Sequence, residues 1–336
     1  MDQAHAADGH QGFTLPAALS AHLQNRDGAD HARLRRLAAG PFSARRTQAL
    51  RGKIQATADR LADRLADRLT AYTPADLVAE YALPLPLTVV ADLLGVPDHQ
   101  RPALTAWTAA MLNPTQPSHL SEAIEHVHHL ILGLIEARRA HPTHDLLSTW
   151  VTVRDHGDCL SEDELVALAF QVWWAGVENV THAISHGTLL LLRHPHLTHL
   201  LRSRPLAVPR LVEEFLRHSL PTRSVRRFAR EDLTIAGERI RAGEAVQLAL
   251  GEARPATADL PGREGAPAVR QAHPHLAFGH GAHHCLGVAL ARLQLQAAFT
   301  SLLTRIPSLT LAVAEDALRW RTSVRRHGLI ELPVTC

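Results

Sequence analysis

Cysteine is scarce in this chain: Cys159, Cys285 and Cys336 are the only three among 336 residues. An odd, widely spaced set excludes a disulfide framework and points to a reducing compartment, so a cytoplasmic location is expected. An excess of one charge is lacking too, with 35 Lys and Arg against 33 Asp and Glu and a formal net charge of +2. That balance carries no general polyanion-binding signature, and no nucleic-acid partner is expected. No apolar run reaches the ~18 residues of a membrane span, and the polar opening MDQAHAADGHQG does not read as a signal peptide, so no membrane association is expected. Residues 1–21 are expected to be irregular or disordered. What is present is a globular chain, 46% hydrophobic, long enough to bury a large core as one big domain or two ordinary ones.

The dominant period is helical. In ARRTQALRGKIQATADRLADRLADRLTA, residues 44–71, Leu50, Ile54, Ala58, Leu61, Leu65 and Leu69 recur at three- and four-residue steps, which predicts one amphipathic helix. Further helical patterns run at 30–39, 75–95, 99–112, 119–139 and 144–153, with breaks expected at Pro84, Pro86, Pro97, Pro114 and Pro142. From Ser161, SEDELVALAFQVWWAGVENVTHAISHGTLLLLRHP opens with a capping box, Ser161 and Glu164, and closes at Pro195, which predicts a single long helix. Its first half is apolar on nearly every face and is expected to run through the core. Within it, Ala175 and Gly176 interrupt the bulky residues just before the carboxylate of Glu178. A helical glycine costs ~1 kcal/mol against alanine. Either a neighbouring helix packs closely there, with Glu178 on a solvated edge, or something else needs the room.

Residues 22–221 read as mainly helical, and the last pattern, RLVEEFLRHSLP, carries Glu214 and Arg217 on one face. Taken alone, such a pair is most often a surface salt bridge of little value. The period then changes to two: VRRFARED, LTIAG, RIRAG and AVQLAL predict a small β-sheet over 222–250. Residues 251–274, punctuated by Pro255, Pro261, Pro267 and Pro274, are aperiodic and read as a long irregular loop.

That loop leads to FGHGAHHCLG, residues 278–287, ahead of the helical run LGVALARLQLQAAFTSLLTRI. A cysteine at a helix entrance faces unpaired N–H groups and the positive end of the helix dipole, which favour the thiolate, the metal-binding form. Gly279, Gly281 and Gly287 allow tight turns and close approach of a flat ligand, and Phe278 is placed to shield the sulfur. A zinc site would use the histidines of HPHLAFGHGAHHC but lacks a second cysteine or a spaced ligand pair. A nucleophilic cysteine would need a base and an orienting third group that the sequence does not display.

Together these residues resemble the bacterial cytochrome P450 family of haem-thiolate enzymes. Its haem loop, Phe-Gly-x-Gly-x-His/Arg-x-Cys-x-Gly, is matched by Phe278, Gly279, Gly281, His283, Cys285 and Gly287, with Ala277, Leu286 and, in LAR, Ala291 alongside. Glu214 and Arg217 match the family's structural ExxR pair, which makes the surface salt bridge the weaker reading. Arg227 in RFARED matches an arginine that bonds a haem propionate, and DHARLRRL resembles the helix whose histidine and arginine grip the propionates, here His31 and Arg35. AGVEN matches the distal helix, where Ala175 and Gly176 would leave room for dioxygen and Glu178 would help deliver protons. The resemblance implies a mainly α fold with a small β part, one cytochrome P450-like domain over 1–336, with 251–287 as meander and haem loop and 288–336 as a helix and C-terminal strands. It implies haem b, iron protoporphyrin IX, with Cys285 as the axial iron ligand, and electrons from a ferredoxin and a ferredoxin reductase. Arg33, Arg36, Arg45 and Arg46 would dock the donor. Substrate contacts would come from Trp173, Trp174, Val177, Thr222, Ser224 and Val225, although the two tryptophans read equally well as core.

Two departures shape the expectations. In most members a threonine follows the acid and relays protons through its hydroxyl; here Asn179 stands there, with Thr181 two residues on. An amide donates a hydrogen bond but does not relay a proton as a hydroxyl does. The resemblance also starts near residue 22, where members carry an N-terminal helix, several strands and a substrate-covering loop, so the fold is expected to lack much of the N-terminal β unit. An open sheet edge at 225–250 would follow, covered by a partner protein or by self-association, or leaving a wide mouth for a carrier-bound or peptide substrate. The 251–274 loop lacks the family's aromatic-rich pattern, which predicts weakened haem binding. Three functions stand: an oxidase that hydroxylates or oxidatively couples a hydrophobic natural product with dioxygen and ferredoxin electrons; a haem peroxygenase, isomerising or cross-linking catalyst independent of external electrons; and a non-catalytic P450-like partner protein.

Overall fold

The computed structural model describes residues 16–69, 73–113, 116–155, 160–218, 220–252, 275–322 and 327–336. The chain opens with α1 (Ala17–Ser20), α2 (Gly28–Ala39), α3 (Ala44–Ala49) and α4 (Arg51–Leu69). The irregular stretch expected up to residue 21 ends earlier, because Leu19 of α1 is fully buried and anchors that turn in the core. The single helix expected over 44–71 is two. The Leu50 N–H donates to the Thr47 carbonyl at 3.1 Å, a tighter i→i−3 turn, before Ile54 restarts the α pattern on the Leu50 carbonyl.

After β1 (Ala75–Asp76) and a π turn at Val78–Ala82 comes α5 (Pro84–Leu94). Pro84 and Pro86 begin this helix where a break was expected, because first-turn residues need no intrahelical acceptor for the N–H that proline lacks. Gly95, at φ 68°, closes it in the left-handed conformation that favours glycine. Three helices follow, α6 (Arg101–Leu112), α7 (Pro117–Ala140) and α8 (Leu146–Asp155).

The long helix α9 (Glu162–Arg193) runs for 32 residues, and its capping box is formed in full. The Glu164 N–H donates to Ser161 Oγ at 3.1 Å while the Ser161 N–H donates to the Glu164 carboxylate at 2.9 Å. After it come α10 (Pro195–Ser203) and α11 (Val208–His218). Two apolar clusters meet along α9. The first half of the helix, up to Val177, packs with α1 and α5–α8, and the second half, from Val180, packs with α4 and α11. The AGVEN segment is the seam between them.

In place of one small sheet over 222–250 there are two separate hairpins. β2 (Ser224–Phe228) pairs antiparallel with β5 (Ala245–Ala249), and β3 (Leu233–Ile235) with β4 (Glu238–Ile240). Ala236 and Gly237, both at positive φ, turn the β3–β4 ribbon back after three residues, too soon for it to extend its neighbour. The chain ends with α12 (Val288–Arg305) and the strands β6 (Thr310–Leu311), β7 (Trp320–Thr322), β8 (His327–Leu329) and β9 (Pro333–Thr335). β9 lies between β1 and β6, and β7 pairs with β8. Helix α12 is pressed into the core: Phe299 meets Phe215 edge-on at 5.1 Å, and a Cβ on Gly187 of α9 would come within 2.3 Å of the Phe299 ring. Tyr81 adds a hydrogen bond to the Ala298 carbonyl at 2.9 Å. This packing fixes where α12 begins, and with it the cysteine loop. Among the described residues, no helix is long and apolar enough to cross a membrane. Residues 253–274 of the expected long loop, and Cys159, lie outside the described residues.

Candidate functional site

Gly279 and Gly281, at φ 72° and 75°, make the turns that bring the chain into α12. Gly287 is the N-cap at φ −88°, an ordinary conformation, so the backbone freedom expected of it is not used. The Cys285 N–H donates to the Phe278 carbonyl at 2.9 Å, which closes the loop on itself. Cys285 is exposed, two residues ahead of the N-cap. Although it keeps contact with solvent, the dense protein around the sulfur desolvates it and pushes the thiol up. The Gly287 N–H and the guanidinium groups of Arg35 and Arg292 pull the other way without prevailing.

Three segments bring basic side chains to this loop. The His31 ring on α2 lies 4.3 Å from that of His283, and Arg35, one turn on, donates to the His284 carbonyl at 2.8 Å. His283 Nε2 meets Asp27 Oδ1 at 2.7 Å, and the charge of Arg227 on β2 is among those that act on it. Burial lowers the pKa of both histidines, and for His31 the His283 and Arg35 charges add to the effect. His31 is 3% exposed, and its Nε2 has no hydrogen-bond partner among the described residues.

On α9, Glu178 is 1% exposed, which rules out the solvated edge. Its Oε1 stands 3.6 Å from Arg321 Nη1 of β7 and 4.0 Å from His182 Nε2. Gly176 does serve close helix packing, since a Cβ there would come within 2.9 Å of Val90 on α5. Ala175 beside it is half-buried. Asn179 accepts a hydrogen bond from Thr222 at 3.1 Å, linking α9 to the segment after α11. The Thr181 hydroxyl donates to the Val177 carbonyl of its own helix at 2.9 Å and is buried. Trp173 and Val177 are core residues, and the Trp173 indole donates to Thr108 on α6 at 3.1 Å. Trp174 is half-buried against the same cluster. Ser224 is buried and bonded to Gln247 across the β2–β5 hairpin, and Val225 pairs with Leu248. Of the three expected substrate contacts that lie outside α9, Thr222 is hydrogen-bonded to the AGVEN segment.

Glu214 and Arg217 form a buried pair, with Arg217 Nε donating at 3.0 Å. Sequence reasoning passed over the residue beside it. Glu213 receives both Nε and Nη2 of Arg292 at 2.7 Å each and faces His275 Nε2 at 3.2 Å. Burial raises its pKa, but the hydrogen bonds from His275 and Arg292 outweigh that and hold it down to about 2. Arg292 lies 5.0 Å from the centre of the Phe278 ring, and the Ala277 N–H donates to His275 Nδ1. Ala291 and Leu286 flank the loop as packing residues. Arg33, expected on a docking face, is instead paired with Glu164, while Arg36, Arg45 and Arg46 are exposed.

These residues fit a haem. A buried histidine nitrogen without a partner among the described residues, together with the guanidinium groups of Arg35 and Arg227 and the His283 ring, suits a dianionic ligand, and the cysteine beside them suits its iron. Among the described residues, no group of three or more His, Cys, Asp and Glu is placed to hold a simple metal ion.

No family model matches the chain. It is 39% identical over 326 residues to the mycinamicin IV hydroxylase/epoxidase of Micromonospora griseorubida, covering 96% of this chain and 81% of the relative. The solved bacillaene polyketide synthase cytochrome P450 PksS of Bacillus subtilis superposes with a TM-score of 0.88 at 32% identity, over 99% of this chain and 84% of that one. P450BioI, solved in complex with an acyl carrier protein ligated to hexadec-9Z-enoic acid, superposes with a TM-score of 0.80 at 33% identity, over 95% and 82% of the two chains. Likeness of this order, in sequence and in structure and over nearly the whole chain, goes beyond a shared architecture: the protein belongs to the cytochrome P450 family of oxidoreductases, whose cofactor is haem.

Proposed function

We propose that the protein oxidises a hydrophobic natural product, by hydroxylation or oxidative coupling, with Cys285 as the axial ligand of haem iron and a ferredoxin with its reductase as electron source. The observation that carries this reading is the gathering of His31, Arg35, Arg227 and His283 around the Cys285 loop from separate segments. Haem ligated by a thiolate supplies the oxidising chemistry, because electron donation from sulfur favours O–O cleavage. His31, Arg35, Arg227 and His283 would hold the propionates and so orient the ring. The Phe278 carbonyl, which accepts from the Cys285 N–H, would help hold the sulfur toward the ring. Glu178 would hold a proton at its carboxylate within the seam of α9, and Asn179, fixed by Thr222, presents an amide donor there. Names among the relatives support the substrate class, since one acts on mycinamicin IV and another belongs to a polyketide synthase. A carrier-bound substrate is consistent with the acyl carrier protein seated on P450BioI.

A second reading, peroxide-driven or otherwise independent of external electrons, draws support from the absence of a free hydroxyl at position 179 and from the buried Thr181 hydroxyl. Peroxide-supported turnover measured against NADPH-coupled turnover separates the two. The ligand assignment is tested by Cys285→Ser. The reduced, carbon monoxide-treated holoprotein is expected to show the red-shifted Soret band of a thiolate complex, and the variant to lose it. A variant with an unchanged spectrum would falsify the assignment.

A further inference from the structure

Behind the cysteine loop, on the side of α11 and α12, lies a charge pair that the ExxR motif does not include. Glu213 grips Arg292 through a two-pronged contact of 2.7 Å and 2.7 Å, and His275 closes the carboxylate at 3.2 Å. The Arg292 guanidinium is in turn stacked 5.0 Å from the Phe278 ring centre, and the Phe278 carbonyl is the acceptor for the Cys285 N–H. One carboxylate thereby fixes a cation, an aromatic ring and the backbone bond that positions the sulfur. The planar fork of arginine allows this, because two parallel hydrogen bonds define the plane and position of the charge where a lysine would define only its distance.

We propose that Glu213 and Arg292 are a positioning pair that tunes the reduction potential of the Cys285-ligated iron, Arg292 by its charge and Glu213 by holding and partly cancelling that charge. The proposal rests on the reading of Cys285 as the iron ligand. Reduction adds one electron to the iron–thiolate unit, so a cation nearby favours the reduced state and an anion the oxidised one. Outer partners of a metal ligand commonly act in this way.

The test is the reduction potential of substrate-free holoprotein, followed spectroscopically in Glu213→Gln, Arg292→Gln and Arg292→Lys. Glu213→Gln leaves the cation uncancelled and should shift the potential upward. Arg292→Gln removes the cation and should shift it downward. Arg292→Lys keeps the charge and should stay nearer to the parent than Arg292→Gln does. A loosened loop would move both neutral variants the same way, so shifts of one sign, or none, overturn the proposal. Glu213→Gln is nearly isosteric and decides the matter by itself should Arg292→Gln fail to fold: no upward shift means no tuning. The carbon monoxide spectrum of each holoprotein reports thiolate ligation separately, so failure of the ligand reading is distinguished from failure of the pair.

Discussion

Asn179 follows Glu178 in the AGVEN seam, and the structure gives it a definite neighbour. Its side-chain carbonyl accepts from Thr222, which leaves the amide N–H groups as what position 179 can offer to another partner. Thr222→Val removes that anchor while keeping the volume. Loss of a neutral hydrogen bond of about 1 kcal/mol predicts a roughly fivefold drop in the ratio of productive to uncoupled NADPH consumption. Unchanged coupling would show that the bond does not orient Asn179. At this scale the sequence was legible wherever a motif carried its own spacing, as in Cys285, His283 and the Glu214–Arg217 pair. It was silent on Glu213 and Arg292, which lie 79 positions apart and meet only because α11 and α12 pack together. Trp173 was ambiguous for a related reason, since its indole partner, Thr108, sits on another helix.

Among the elements, α9 was the most readable because its signals agree: a capping box, an apolar run and a closing proline. Its N-terminus also does more than stop fraying. Glu164 serves both the Ser161 N–H and the Arg33 guanidinium, tying α9 to the helix that carries His31 and Arg35. Ser161→Ala is therefore expected to lower global stability by about 1 kcal/mol in urea unfolding, and Ser161→Asp to restore most of it. A loss within error would mean that the Arg33 contact alone holds this end. Elements that depend on neighbours were harder to read. The break at Leu50 has no proline to announce it and its nearest glycine, Gly52, lies inside the helix that follows, while prolines that punctuate a pattern also begin helices, as Pro84 does. Strands of two or three residues, such as β1 and β6, show no alternation to detect and exist because β9 lies between them.

Across the whole molecule, the two apolar clusters meet at the AGVEN seam, and the groups that fit haem come from α2, β2 and the loop before α12. A ligand that bridges such parts stabilises the folded state in proportion to the logarithm of its concentration over its dissociation constant. The holoprotein should accordingly melt at a higher temperature than the haem-free form, by a margin that grows with added haem. Equal melting temperatures would mean that the cofactor bridges nothing. The general architecture was legible because a haem-binding chain advertises its cofactor in several places at once. The separate hairpins of 222–250 were not, because a two-residue turn at Ala236 and Gly237 decides whether strands join one sheet or fall apart into ribbons.

Trp150 and Trp173 are fully buried in one cluster, Trp173 within a single helical turn of the AGVEN seam, and the other three tryptophans are Trp107, Trp174 and Trp320. Haem absorbs where indole emits, so this chain carries its own optical gauge: emission that is dim while the pigment is seated and brightens as it departs, with no dye attached.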